Sequence, residues 1–470
     1  MNSVPLLAGT DPAAVFAWRP DGPVSVGDYL AEARVLAARL PAGDFVLNLC
    51  HDRYRFAVGF AAGLLAGKTS LQPASQSAET LRRLHGAYPG LFALCDGPDD
   101  TLDLPRFDFP ALFSARAGGE NDTAAVDGKK APKTEFAVPR IAADHLAAIL
   151  FTSGSTGLPQ AQPKRWGKLV ANGRAEAEQL GLLDRPHALV GTVPVQHSYG
   201  FESTLLLALH GGCAFWAGKP FFPQDIVGAL AAVPRPRLLV TTPFHLSTLL
   251  AAGLELPPVD MLLSATAPLS AALAGEAEAR TGAPLREIYG ATESGQLASR
   301  RTTAGEAWTP LPGIRLDQDG EQTMASGGHV EGRVALADRI ELLPDGRFLL
   351  RGRQADLVNI AGKRTSLAYL NHQLAAIPGV VDGAFFLPDE AGPDGITRLA
   401  AFVVAPGLSP RQIGTALRQR VDAIFLPRPL VIVDRLPRNS TGKLPRGELL
   451  ALYAAHCTAH HAAQVTDGRR

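Results

Sequence analysis

Hydrophobic positions recur along this chain in two alternating rhythms. Between Ser25 and Leu40 (SVGDYLAEARVLAARL) they fall three and four apart, the spacing of an amphipathic helix, and Phe45–Leu49 then reads as a short buried strand. Glu79–Tyr88 repeats the helical rhythm and Leu91–Leu94 the strand. Alternation of this kind predicts α/β layers with parallel strands. The apolar run Phe56–Gly67 reads as a buried helix, being shorter than the roughly 18 residues that cross a bilayer. From Ser114 to Pro139 the chain is small, polar and punctuated by Gly and Pro, which predicts a long surface connection. Apolar order resumes at His145–Phe151, and a second α/β stretch runs to about Tyr289, with strands expected at Ala188–Val193, Leu238–Thr242 and Met261–Ser264.

Beyond Glu293 the texture changes. Short β-prone runs (GRVAL from Gly332, RIELLPDG from Arg339, GRFLL from Gly346) are separated by turns such as Pro344–Gly346, which favours a small antiparallel or barrel-like piece. From about Gly352 onward a helix (368–377) and a strand (399–405) suggest a separate small α+β domain. The His- and Ala-rich tail, 456–470, reads as a solvated helix end or a disordered segment rather than a metal site, although His456 and His460 are four apart.

Length and composition narrow the choice. A chain of 470 residues suggests roughly two to four packed units, and with 46% hydrophobic and 19% charged residues it has ample material for a core. Its 45 basic and 45 acidic residues cancel, so no global field draws it to nucleic acid or an anionic membrane, and an anionic ligand must be met by a local cluster. Only nine of the basic residues are lysines against 36 arginines, so each lysine stands out. Cys50, Cys95, Cys213 and Cys457 lie far apart without the C-x-x-C spacing of zinc or redox sites. A reducing cytoplasm is the expected location, in keeping with a first segment (MNSVPLLAGT) that has neither the basic start nor the apolar run of a signal peptide.

The strongest chemical signal is FTSGSTGLPQ, Phe151–Gln160, directly after an apolar strand. Thr152, Ser153, Gly154, Ser155, Thr156 and Gly157 offer four hydroxyls and two glycines in six residues; such glycines let backbone N–H groups converge, which suits a phosphate chain. This is not a Walker A loop, whose glycine stands four residues before GK[ST]; the nearest candidate, Gly63–Thr69, has three intervening residues and reads as a helix end.

With this loop the chain resembles the adenylate-forming superfamily of acyl- and aryl-CoA synthetases, adenylation domains and luciferases. The other motifs follow in that superfamily's order: IYGATESG (Ile288–Gly295), the aspartate Asp338 in ALADRIEL, GRQADLVNIAGKR (Gly352–Arg364) and PRNSTGKLPR (Pro437–Arg446). The resemblance implies an α/β fold: a large N-terminal domain of two layered α/β subdomains plus a small β-barrel-like subdomain, at 1–353, and a small mobile C-terminal α+β domain at 354–470. It also implies an ATP- and Mg2+-dependent enzyme that joins a carboxylic acid to a thiol through an acyl-AMP.

Carried onto this sequence, the resemblance assigns ATP or AMP contacts to Thr152 through Gly157, Lys164, Ala267, Tyr289, Gly290, Thr292, Asp338, Arg353 and Lys443. Tyr289 would stack on adenine, Asp338 and Arg353 hold the ribose, and Thr292 bind the α-phosphate. Glu293 would be the metal anchor, a hard oxygen ligand. Lys443, Glu293 and Thr292 are the expected catalytic residues, with Lys443 bridging carboxylate and α-phosphate as charge develops. The acid and thiol would meet His197, Ser198, Gly200, Thr242, Ala265, Gly362 and Arg364.

Two departures accompany the match. The phosphate loop, commonly closed by Pro-Lys-Gly, here reads Pro159-Gln160-Ala161, with Lys164 as the next lysine; and Ala355 and Asn359 occupy the positions where a hinge pivot is usual. Leu49–Leu81, the segment PQAQPKRWGKLV and ESGQLASRRT further resemble ligases of aryl-polyene and xanthomonadin-type pigment clusters. That likeness points to an aromatic, hydroxybenzoate- or cinnamate-like acid. It makes a carrier-protein phosphopantetheine at least as fitting an acceptor as CoA. A medium- or long-chain fatty acyl-CoA ligase, an enzyme that only adenylates, and a non-catalytic nucleotide- or acyl-binding protein stay open as alternatives.

Overall fold

The computed structural model describes residues 2–73, 76–97, 103–109, 136–153, 159–320, 322–353, 357–360, 363–388, 398–439, 442 and 444–467. Most of the expected surface connection at Ser114–Pro139 lies outside these residues.

The first helix, Val26–Ala37, begins where the apolar rhythm predicts because Ser25 caps it, its Oγ accepting from Asp28 N at 3.1 Å. Asp52 does the same for Arg53–Leu65, accepting from Arg55 N at 2.8 Å. Beyond its first turn, which carries Arg53 and Arg55, that second helix is apolar on every side and is sunk between elements of the core, as an all-round hydrophobic helix must be. It ends at Gly67, which takes φ +71°, the left-handed conformation that closes helices at little cost for glycine. The Walker-like GLLAGKT is therefore a helix terminus.

Two sheets organise the large part of the molecule. The six-stranded sheet runs Pro159–Arg165, Leu146–Ser153, Thr69–Gln72, Phe45–Asn48, Phe92–Cys95, Arg106–Asp108. All its pairings are parallel except the outer one, where Pro159–Arg165 folds back antiparallel on Leu146–Ser153. The nine-stranded sheet carries a parallel centre, Ala188–Gly191, Arg237–Thr241, Met261–Ser264 and Leu285–Ala291, with antiparallel hairpins at both ends. One core joins the two sheets, built on Phe16, Tyr29, Phe60, Trp166 and Phe201.

The region after Glu293 is β-rich, as expected. It forms a three-stranded antiparallel sheet (Ile314–Asp319, Gln322–Gly327, Arg333–Ala335) and a two-stranded one (Asp338–Leu342 with Phe348–Arg353), which share a core around Trp308 and Phe348. A smaller α+β part follows, with the sheet Asp382–Phe386, Ala400–Val404, Leu430–Ile432 and its own cores under the helices Leu367–Ala375, Pro410–Arg418 and Arg446–Asp467. The architecture is thus the expected α/β one, a large N-terminal and a small C-terminal domain. The helix to Asp467 takes in most of the His- and Ala-rich tail. No helix among the described residues is long and apolar enough to cross a membrane.

Candidate functional site

Three of the central parallel strands end within a residue of one another, and the fourth, Leu285–Ala291, runs on past them. Gly191 stands opposite Val240, Leu263 opposite Val240, and Thr241 opposite Ser264. In an open parallel sheet the loops beyond such carboxyl ends form the binding crevice. Here they carry Thr192–Gly200, Thr242, Ala265–Ala267 and Thr292–Ser294. Eight of the residues expected on sequence grounds, His197, Ser198, Gly200, Thr242, Ala265, Ala267, Thr292 and Glu293, therefore lie along one edge.

On one side of this edge Tyr289 Oη donates to Asp338 Oδ2 at 2.9 Å. Asp338 is the register partner of Arg353 across the two-stranded sheet, so the two residues expected at a ribose are neighbours although fifteen positions apart. The Tyr289 ring leans on Trp308 and Phe348, with centroids 5.8 Å from each. Gly290 follows at a bulge; a Cβ there would lie 2.4 Å from Gly295 O, so only glycine fits. The chain then turns through half-buried Thr292 and Glu293 and returns as Gly295–Arg300.

Beneath that turn lies a layer of buried polar side chains. Lys164, 5% exposed on the antiparallel edge strand, donates from Nζ to Glu293 O at 3.0 Å. Burial lowers its pKa, against which the carboxylates of Glu202, Glu331 and Glu293 act. Glu202, 4% exposed, has its carboxyl pushed up to about 7 by burial, with Lys164 and a hydrogen bond from Asn172 opposing the rise. Gln296 Nε2 donates to Ser203 Oγ at 2.7 Å, and Ser203 Oγ donates to Glu176 Oε1 at 2.6 Å. Glu176 is fully buried, and desolvation pushes it up to about 8. His329 Nε2 donates to Gln296 O at 2.5 Å, and burial drops that imidazole to about 4, so the ring is neutral near pH 7.

The wall expected to meet the acid is ordered by local bonds. His197 caps the turn Ser198–Gly200, its Nδ1 accepting from Tyr199 N at 3.3 Å, so the proton of a neutral ring sits on Nε2. A Cβ on Gly200 would lie 2.1 Å from Pro194 O, which leaves room for glycine alone. Thr242 caps the helix Pro243–Ala251, and its Oγ1 and that of Thr192 lie 3.2 and 2.9 Å from His245 Nδ1. Ser264 Oγ and His245 Nε2 are buried there without a hydrogen-bond partner in the protein. Ala265 and Ala267 flank Thr266, whose φ of +78° is a strained left-handed conformation for a β-branched residue. Arg53, buried, grips the same edge by donating to Val193 O at 2.6 Å and Gly218 O at 2.9 Å.

From the C-terminal part comes Gly442, the residue before Lys443. It is buried, has φ +78°, and a Cβ on it would stand 3.3 Å from Phe244 Cβ and 3.7 Å from Thr242 Oγ1. Arg438 fixes this approach, clamping Asp382 at 2.6 and 2.8 Å while donating to Gly442 O at 2.9 Å.

Lys443, Gly154–Gly157 and Gly362 lie outside the described residues, as do the side chains of Thr152, Ser153, Arg353 and Arg364. Sequence reasoning missed Glu202, Asn172, Arg53, Thr192, His245, Asp382 and Arg438. Glu202 had left a sign, a lone acid in the apolar run FESTLLLAL. Among the described residues no group of three or more His, Cys, Asp or Glu side chains could hold a metal on its own.

Comparison with known proteins bears on the family and the fold. Residues 10–345 match the family described as AMP-binding enzyme. The chain is 31% identical over 277 residues to a 4-coumarate–CoA ligase of Rhodobacter capsulatus, covering 59% of this chain and 68% of the relative. It is 24% identical over 518 residues to an L-proline–[L-prolyl-carrier protein] ligase of Streptomyces coelicolor, covering 92% and 93%. The crystal structure of ATP-bound MatB from Rhodopseudomonas palustris shares the fold, with a TM-score of 0.77 at 21% identity over 95% of this chain and 97% of that one.

Proposed function

This chain belongs to the AMP-binding enzyme family and is an AMP-forming acid–thiol ligase; we propose that its acid is aromatic, of the hydroxybenzoate or cinnamate kind, and that its acceptor is the phosphopantetheine thiol of a carrier protein or of CoA. In the first step an oxygen of the substrate carboxylate bonds to the α-phosphorus of ATP, and the bond to pyrophosphate breaks, its electron pair leaving with pyrophosphate. In the second the thiolate sulfur bonds to the acyl carbon, and AMP leaves with the electrons of the acyl–oxygen bond.

The observation that carries the site assignment is the seating of Gly442 against Thr242 and Phe244, which brings the lysine motif to the strand ends that also bear Thr292 and Glu293. In this reading Lys443 bridges the carboxylate and the α-phosphate, stabilising charge in the transition state. Asp338 and Arg353 hold the ribose, Tyr289 orients Asp338 through its hydroxyl, and Thr292 hydrogen-bonds the α-phosphate. Gly154–Gly157 wrap the phosphates; Gly362 and Arg364 serve the thiol; His197 borders the acid. The boundary between the domains falls at 353/354, directly after Arg353, and the smaller one turns between the two steps.

Mg2+ fits these donors. Glu293 is a half-buried carboxylate that belongs to no group of three or more His, Cys, Asp or Glu side chains among the described residues, which suits an ion held by one or two carboxylates and completed by substrate phosphates. When bound it would neutralise phosphate charge. Support for an aromatic acid comes from the 4-coumarate–CoA ligase likeness, and for a carrier protein from the prolyl-carrier ligase that aligns along nearly the whole chain. A reducing cytoplasm suits the buried side chains of Cys50, Cys95 and Cys213.

The test is acid-dependent ATP–pyrophosphate exchange over benzoic, cinnamic, short-chain and long-chain acids, followed by thioester formation with CoA and with a phosphopantetheinylated carrier. Exchange is expected with the aromatic acids, and Lys443→Ala should abolish it while sparing thioester formation from supplied acyl-adenylate. Exchange confined to fatty acids would overturn the aromatic assignment, and near wild-type exchange in Lys443→Ala the site assignment.

A further inference from the structure

The edge strand Pro159–Arg165 turns alternate residues to opposite faces, so Gln160, Gln162 and Lys164 share one face. Gln160 stands exposed near the phosphate loop, where the resemblance leads one to expect a lysine, whereas Lys164 is buried and donates to the main-chain carbonyl of Glu293. A lysine in that place needs a compensating charge, because an ammonium without one does not stay charged in an apolar layer. Glu202 supplies it, from the π-helical turn Phe201–Leu206 that follows directly on the His197–Gly200 motif. π-Turns of this kind insert an extra residue into a helix and recur at functional sites. Asn172 joins the two halves of the layer: it opposes the rise of the Glu202 carboxyl, and its Nδ2 and the His329 ring crowd Gly295, at 3.3 and 3.2 Å from where a Cβ would be.

We propose that Lys164 and Glu202 are a buried positioning pair that holds the Thr292–Glu293 turn in its metal- and phosphate-binding pose, and that Lys164 acts on the nucleotide through this turn, without touching phosphate. The inference rests on the reading of Glu293 as the Mg2+ anchor. A positioning role of this kind concerns the direction in which the Glu293 carboxylate leaves the backbone. Nζ fixes the carbonyl of the same residue, so rotation of that peptide plane is what the lysine opposes. Glu202 acts on the same lysine through its charge, from the turn that follows the wall bordering the acid, so both halves of the site share one interior layer.

The pair can be separated from a phosphate contact by titrating Mg2+ against the ATP-bound protein. Melting temperatures of the full chain are read without ligand, with ATP and EDTA, and with ATP over a range of Mg2+, beside acid-dependent exchange over the same range. Glu293→Gln should lose the Mg2+ increment. Lys164→Met/Glu202→Gln removes both charges together; it should keep the metal-free ATP increment but need about 10–100-fold more Mg2+ for its half-maximal increment and exchange rate, as for other groups that orient a ligand from behind. Where the double variant fails to fold, Lys164→Arg takes its place: it keeps a charge for Glu202, yet its planar head cannot set one nitrogen where Nζ lies, and the same rise in Mg2+ requirement is expected. A wild-type Mg2+ midpoint in these variants overturns the proposal, as does equal loss of the metal-free ATP increment, the mark of a direct phosphate ligand. A wild-type midpoint in Glu293→Gln instead overturns the reading of the anchor, and the pair with it.

Discussion

Charge is handled in opposite ways in two parts of this molecule. On the sheet Ile314–Ala335, Arg333 reaches Asp317 and Asp319 with 47% of its side chain exposed, and Arg347–Asp345 and Arg351–Glu341 are similarly open. Under the Thr292–Glu293 turn, Lys164, Glu202 and Glu176 lie almost out of water. The outer pairs are replaceable, because water and salt screen them and two long side chains lose freedom in meeting. The inner groups are not, because each unpartnered charge there meets the full cost of desolvation. On these outer sheets exposed arginines make the pairs, while under the Thr292–Glu293 turn one scarce lysine stands where a single compact ammonium is needed.

The contrast is broken most directly by removing one inner charge. Lys164→Met should destabilise the protein by about 3–5 kcal/mol at pH 8, the range for a buried charge deprived of its partner. Below pH 7 the loss should shrink, since Glu202, with its carboxyl at about 7, then takes up a proton and no longer needs the lysine. Urea unfolding at two pH values measures both, and a loss that does not depend on pH would show that packing, not charge, fills this layer.

Glu176→Gln should act in the other direction and on a similar scale. As pH rises from the ordinary glutamate range, the unfolded chain gives up this proton while the folded chain keeps it until about 8. Stability contributed by the wild-type carboxyl therefore falls by about 1.4 kcal/mol per pH unit through that window and levels off above it. The amide removes the slope, so the variant should equal wild type near pH 4 and exceed it at pH 8. A parallel pH dependence in the two proteins would place Glu176 in water. Smallest of all is the outer control: Arg333→Ala should leave the urea midpoint within error of wild type, with any trace of an effect gone at high salt. A clear loss there would erase the distinction between the two regions.

These two regions also differ in how far the sequence disclosed them. The outer strands announced themselves through short β-prone runs and the Pro344–Gly346 turn, and the strand ends at Thr241 and Ser264 followed from apolar runs stopped by small polar residues, whereas the strand to Ala291 did not. The ordered motifs pointed to Tyr289, Glu293 and Asp338 because they are contiguous strings. The interior layer is not. Gln296 meets Ser203 across 93 positions, and Lys164 meets Glu293 across 129, distances over which no local pattern carries information. Lys164 reads as an ordinary strand lysine until the hairpin at Glu293 is folded over it. The π-helical turn at Phe201–Leu206 is equally silent, since its apolar residues fit a plain α-helix as well.

Gly442 bears on how chains of this kind can be recombined. Here the small domain meets the wall of the large one through a hydrogen atom, since a β-carbon would stand 3.3 Å from Phe244 Cβ and would also have to adopt φ +78°. Positions 442 and 244 are thus a clearance, matched across the interface between the two domains. A hybrid enzyme that takes its C-terminal segment from one parent and its central sheet from another inherits the two sides of that gap separately. A bulkier residue at 244 closes it as surely as a side chain at 442, so the two positions travel best as one cassette.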